Sequence, residues 1–124
     1  PIFCHRRHLY EFETEGAHNW MGRYFFTGGL MPSFDIFHRI DSPLAVEQDW
    51  IWDGTHYQKT AEAWLANMDG HRAEVLEVLE SAYGKQEAPL WFQRWRVFFM
   101  ACAELFGFRD GSEWQVGHYR LRRR

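Results

Sequence analysis

The chain has 124 residues, of which 46% are hydrophobic and 19% aromatic, a composition that fits one domain and is too rich in core-forming side chains for a disordered segment. Its formal charge of −3, with 25% of residues charged, provides no global basic field and argues against nucleic acid as a partner. The longest apolar run, Val97 to Ala103, is far short of the ~20 residues that cross a bilayer, and no signal-peptide pattern opens the chain, so a soluble, cytoplasmic protein is expected.

The chain begins at Pro1 without a Met and turns apolar at once, which reads as a cut inside a larger protein. Ile2 to His5 is a short strand in which Cys4 packs as a small, inert hydrophobe, and Arg6 to Asn19 shows neither strand alternation nor a helical face, so it reads as a long loop. Trp20, Tyr24, Phe25 and Phe26 form an aromatic cluster that ends in the Gly28-Gly29 turn. Ser33 is the expected N-cap of a short helix through Ile40, stopped by Asp41-Ser42-Pro43. Leu44 to Trp52 is a strand bracketed by Pro43 and Asp53-Gly54. The period then changes: Thr55 to Met68, His71 to Tyr83 and Glu87 to Phe106 read as three helices, the last apolar on most of its circumference. From Trp114 the alternation of a final strand runs to Leu121, ahead of the basic end Arg122-Arg123-Arg124. The order is α/β, with a sheet of about three strands and no internal boundary between residues 1 and 124.

Several constellations offer chemistry. Cys4, His5 and His8 are metal-ligand types close together, but no second Cys/His pair completes a zinc set, so no metal is expected. Glu11, Glu13 and Glu15 lack apolar surroundings that would separate their pKa values, and read as a solvated face. No Gly-x-Gly-x-x-Gly or phosphate-cradling loop is present, so no cofactor-binding residue is assigned. The tryptophans between Trp50 and Trp114, with Tyr57, are either core or the lining of a pocket for a flat, greasy molecule.

Ile2-Phe3-Cys4-His5, then Asn19-Trp20-Met21-Gly22-Arg23-Tyr24-Phe25-Phe26-Thr27-Gly28-Gly29-Leu30-Met31-Pro32-Ser33, resemble the segment after the fifth strand of cyclopropane fatty acid synthase-like S-adenosylmethionine-dependent methyltransferases, in particular the coclaurine N-methyltransferase branch. Asp49-Trp50, Gly54-x-x-Tyr57, Thr60, Trp64, the end of the long helix and Glu113-Trp114-Gln115-Val116 continue the resemblance in order and spacing, over essentially the whole chain. The resemblance implies the carboxy-terminal part of a Rossmann-like class I methyltransferase sheet, with a helical insert that covers the acceptor. The family's glycine-rich cofactor turn, its ribose carboxylate and its Glu-x-x-Glu-His stretch have no counterpart here, so S-adenosylmethionine would be held mainly by an amino-terminal half outside this chain.

The same resemblance suggests roles for individual residues. Tyr57 matches the tyrosine that helps hold a bicarbonate base in cyclopropane synthases, although the histidine sharing that site falls at Pro1; the alternative is a tyrosine packed structurally against Trp50. Trp20, Tyr24 and Phe25 match positions near the acceptor, and Trp114 a pocket aromatic whose π face suits a cation; the alternative for all four is plain core. Tyr57 and Trp114 are expected to converge on one concave site. The implied function is the acceptor-binding portion of a methyltransferase, inactive alone, acting on a small-molecule amine or an unsaturated lipid chain. Arg120, Arg122, Arg123 and Arg124 suit peripheral contact with an anionic membrane, or form a solvated tail. The rival reading is a non-enzymatic module that binds a hydrophobic ligand or forms a homo-oligomer through its open sheet edges.

Overall fold

A computed structural model describes all residues, Pro1–Arg124. Strand β1 (Ile2–His5) lies beside β5 (Trp114–Arg123), which in turn pairs with β4 (Leu44–Asp53), giving a three-stranded antiparallel sheet whose middle strand is the last in the chain. The α/β reading and the count of three strands hold. On the helical side of the sheet lie α3 (Thr55–Gly70), α4 (Arg72–Tyr83) and α5 (Ala88–Gly107). No helix is long and apolar enough to cross a membrane.

The 20-residue α5 is the spine of the packing. Cys102, Ala103 and Phe106, at i, i+1 and i+4, bury against Tyr57, Ala61 and Val116, while Ala88 and Phe92 one end away bury against Met68 and Leu79. Two apolar clusters on one helix explain why its sequence is greasy on so many faces.

Three local readings are corrected. The stretch from Arg6 to Asn19 is not all loop: β2 (Tyr10–Glu11) pairs with β3 (Leu30–Met31), a ribbon too short to leave a period in the sequence. Ser33 does not cap a helix, because its segment bridges to β1 instead, through His5 N–H to the Pro32 carbonyl at 2.9 Å and Phe34 N–H to the His5 carbonyl at 2.9 Å. The helix that follows, α2, spans only Ile36–Arg39. The basic end is no tail, since β5 continues past Leu121 with Arg122 opposite Ala45 and Arg123 opposite Leu44.

A short helix, α1 (Trp20–Tyr24), carries the aromatic cluster. At Gly22 an added Cβ would stand 2.1 Å from the Glu13 carbonyl oxygen, so the early loop and α1 touch backbone to backbone. At Gly54 the same atom would meet the carbonyl oxygens of Phe106 at 2.1 Å and Trp114 at 2.3 Å. Glycine there lets the turn between β4 and α3 pass under the junction of α5 and β5, and it delivers Tyr57 to the core one turn later.

Candidate functional site

Tyr57 sits in the first turn of α3, 8% exposed, with its ring 4.2 Å from Phe3 and 4.7 Å from Phe106, the latter edge-on at 85°. Phe3 comes from β1 and Phe106 from α5, so sheet and helix layer together hold the phenol in place. Above it opens a cavity of about 520 Å³, walled by Met21 and Phe26 from the α1 region, Leu30 and Met31 from β3, and Phe98 and Cys102 from α5. No lining side chain is charged, and the Tyr57 hydroxyl and Cys102 thiol are the only side-chain hydrogen-bond donors. They face one another. Burial, then the neighbouring Cys102, push the Tyr57 phenol far above its ordinary range, and burial pushes the Cys102 thiol up to about 11 despite the opposing effect of the nearby Tyr57 hydroxyl. Both stay protonated at neutral pH. The cavity therefore offers apolar walls and one oriented phenol donor.

Trp114 does not share that cavity. Its indole Nε1–H donates to the Tyr10 hydroxyl at 2.8 Å and its ring lies edge-on to His5 at 5.2 Å, which draws it behind Leu105 into a smaller hollow of about 290 Å³. Leu105 lines both spaces, so the expected convergence of Tyr57 and Trp114 is corrected to two hollows divided by one leucine. Trp20, Tyr24 and Phe25 stand behind the wall. Phe25 stacks on Phe98 at 4.3 Å, Trp20 leans on Phe25 at 5.3 Å, and Tyr24 lies under the Arg94 guanidinium at 4.1 Å. The lining residues from that segment are instead Met21 and Phe26. Cys102 was legible only as core, yet Phe98, Cys102, Leu105 and Phe106 follow helical spacing and mark the lining face of α5.

A polar cluster braces the Trp114 side. His5 Nδ1 accepts the backbone N–H groups of Arg7 at 3.0 Å and His8 at 2.9 Å, which leaves the proton on Nε2, 3.4 Å from Glu113 Oε2. Burial, the charge of His8 and that of Arg6 hold His5 below its ordinary pKa against the pull of Glu113. Burial opposes ionisation of Glu113, but the Arg109 hydrogen bond and the charges of Arg6, Arg109 and His5 outweigh it and hold the carboxyl low. No group of three or more His, Cys, Asp or Glu gathers where it could hold a metal ion. Both cysteines are free thiols.

A second apolar groove, about 510 Å³, runs between α3, α4 and α5 past Trp64, Met68, Val75, Leu79 and Trp95. It has no phenol, and Val78 on its rim is 68% exposed.

No family model matches the chain. An (S)-coclaurine N-methyltransferase of Papaver somniferum is 33% identical over 118 residues, covering 93% of this chain and 34% of the relative. A pavine N-methyltransferase of Thalictrum flavum subsp. glaucum is 30% identical over 91% of this chain and 33% of its own length. The cyclopropane-fatty-acyl-phospholipid synthase of Escherichia coli strain K12 is 29% identical over 98 residues. A crystal structure of coclaurine N-methyltransferase bound to N-methylheliamine and SAH superposes with a TM-score of 0.82 at 27% identity, covering 97% of this chain and 37% of that one. The chain is a homologue of part of these methyltransferases. It spans about one third the length of the N-methyltransferases it matches, and the resemblance to coclaurine N-methyltransferases and cyclopropane synthases is borne out.

Proposed function

We propose that the 124 residues form the acceptor-side part of an S-adenosylmethionine-dependent methyltransferase, with the Tyr57 cavity holding the apolar body of the acceptor and the cofactor held by residues outside them. The observation that carries this reading is the cavity itself, lined by uncharged side chains, whose volume of about 520 Å³ suits a small molecule. The similarity to a methyltransferase bound to N-methylheliamine and SAH supports it. Tyr57 touches the acceptor and donates a hydrogen bond; Leu105 and Phe98 exclude water around it. Trp114 and the cluster of Trp20, Tyr24 and Phe25 position the wall.

S-adenosylmethionine does not fit this cavity, because a nucleoside needs polar partners for its ribose hydroxyls and its base edge, and the lining offers one phenol and one thiol. The lining side chains offer bicarbonate no cation and only two donors, so no step is assigned to it. The residues of this chain are therefore assigned to binding and orienting the acceptor and to no bond-breaking step. A ring amine and an unsaturated lipid chain both match the apolar walls.

Calorimetric titration of the chain tests the reading. A hydrophobic ring amine such as N-methylheliamine is expected to bind, and to bind several-fold more weakly to Tyr57→Phe, while S-adenosylmethionine gives no binding heat. Micromolar binding of S-adenosylmethionine with no binding of the amine would contradict it. The non-enzymatic reading has its own observation in the open edge of β4, where Trp50, Ile51 and Trp52 are exposed.

A further inference from the structure

We infer that Leu105 is the specificity-determining residue of the Tyr57 cavity, and that the hollow behind it is a subsite for a second, neutral aryl ring, closed in this chain by the leucine side chain. The choice of an amine as acceptor rests on the methyltransferase reading; the partition itself does not. Leu105 is the one residue that lines both spaces, so its side chain stands between the cavity of about 520 Å³ over Tyr57 and the hollow of about 290 Å³ beside Trp114. Two stripes of side chains along α5 and its end meet there. Phe98, Cys102 and Leu105, at i, i+4 and i+7, face the cavity, and Ala101, Leu105 and Phe108, at the same spacing, face the hollow.

Inner walls elsewhere have packed atoms behind them. Phe98 is backed by Phe25, stacked on it at 4.3 Å, Phe26 by Phe12 at 4.8 Å, and Tyr57 by Phe106 at 4.7 Å, while Met31 and Cys102 are themselves buried. Truncating one of these leaves a void enclosed by its neighbours, whereas truncating Leu105 opens onto space that already exists. An acceptor longer than the cavity therefore extends either past the exposed Leu30 into water or, once position 105 is small, into the hollow. The hollow suits a flat ring. The rings of Trp114 and Phe108 stand 6.2 Å apart at 65°, an open angle that takes an aryl group edge to face, and Trp114 is fixed there by its bond to Tyr10 at 2.8 Å. Glu104, exposed, is the hollow's single charged side chain and turns away an anionic arm.

The test titrates the unaltered chain and Leu105→Ala with N-methylheliamine, with an analogue of it lengthened by a biphenyl arm, and with biphenyl itself, which carries no amine. The unaltered chain is expected to bind the two amines within about threefold of one another, because the arm lies in water. Leu105→Ala should bind the lengthened amine about tenfold tighter and N-methylheliamine about threefold more weakly, a change of preference that loss of stability alone does not produce. The Trp114 indole N–H signal in NMR should shift with the lengthened amine and with biphenyl in Leu105→Ala only, while the Met31 methyl signal shifts in both chains. A control, Leu90→Ala, trims an exposed leucine of the same helix and should leave both affinities within about twofold. An unchanged preference in Leu105→Ala, or a Trp114 signal that moves in the unaltered chain or in neither, would overturn the inference. If biphenyl bridges the two spaces in Leu105→Ala but no amine binds either chain, the partition stands and the amine acceptor falls; if the amines bind but nothing reaches Trp114, the partition falls and the acceptor reading stands. Should Leu105→Ala unfold, Leu105→Val is expected to change the preference in the same direction by about threefold, and no change there would equally overturn it.

Discussion

Tyr57 is held at its ring by Phe3 and Phe106 while its hydroxyl faces the cavity, so ring and hydroxyl can be tested separately. Tyr57→Phe keeps the contacts with Phe3 and Phe106 and loses only the hydroxyl that faces the cavity and Cys102, so its cost in urea unfolding should be about 1 kcal/mol or less. Tyr57→Ala empties the floor of the cavity and should cost about 3 to 5 kcal/mol. His5 sets a pH dependence. Its pKa is lowered in the fold, so folding favours the neutral ring; that stability is present above the unfolded value of about 6.5 and is lost as pH falls through the folded pKa. Glu113, also lowered, adds a loss of the same sign at more acid pH. The urea midpoint should therefore fall between neutral pH and about pH 5, and His5→Gln should flatten the upper part of that fall. At this scale the sequence placed Tyr57 at the start of the helix that follows the Leu44 to Trp52 strand, and the structure buries it there beneath the cavity. The sequence could not show that Met21 and Phe26 line the cavity in place of Trp20 and Tyr24, because α1 is too short for its period to tell which face turns inward.

Elements cross tightly at Gly54 and leave open space at Gly70, so one kind of substitution should have opposite effects at the two positions. Gly54→Ala places a methyl group 2.1 Å from the Phe106 carbonyl oxygen and must part α5 from the turn that carries Tyr57, so a loss of about 3 kcal/mol or more is expected. Gly70→Ala, in the last turn of α3 with nothing within 4 Å, should raise stability by about 0.5 to 1 kcal/mol. Thermal melts of the two variants measure both. The long elements were legible: α3, α4, α5, β4 and β5 all stand within a few residues of where period and punctuation put them. Sheet order was not, because β5 owes its central place to one partner at the other end of the chain and one in its middle, and β2 and β3 exist only as each other's partner.

For the whole molecule, the open edge of β4 and the exposed Trp50, Ile51 and Trp52 leave apolar surface that this small sheet cannot cover. Concentration-dependent association or binding of a hydrophobic dye is expected in light scattering and fluorescence; a strictly monomeric, dye-negative chain would mean that the patch is too dispersed to act. The central claim, an acceptor held over Tyr57, is tested most directly by methyl NMR of the four methionines. Met21 and Met31 line the Tyr57 cavity, Met68 lines the groove between α3, α4 and α5, and Met100 is exposed. On titration with the ring amine, the Met21 and Met31 methyl signals are expected to shift together and saturably, with Met68 and Met100 unmoved. Shifts at Met68 alone, or at none of the four, would contradict the account.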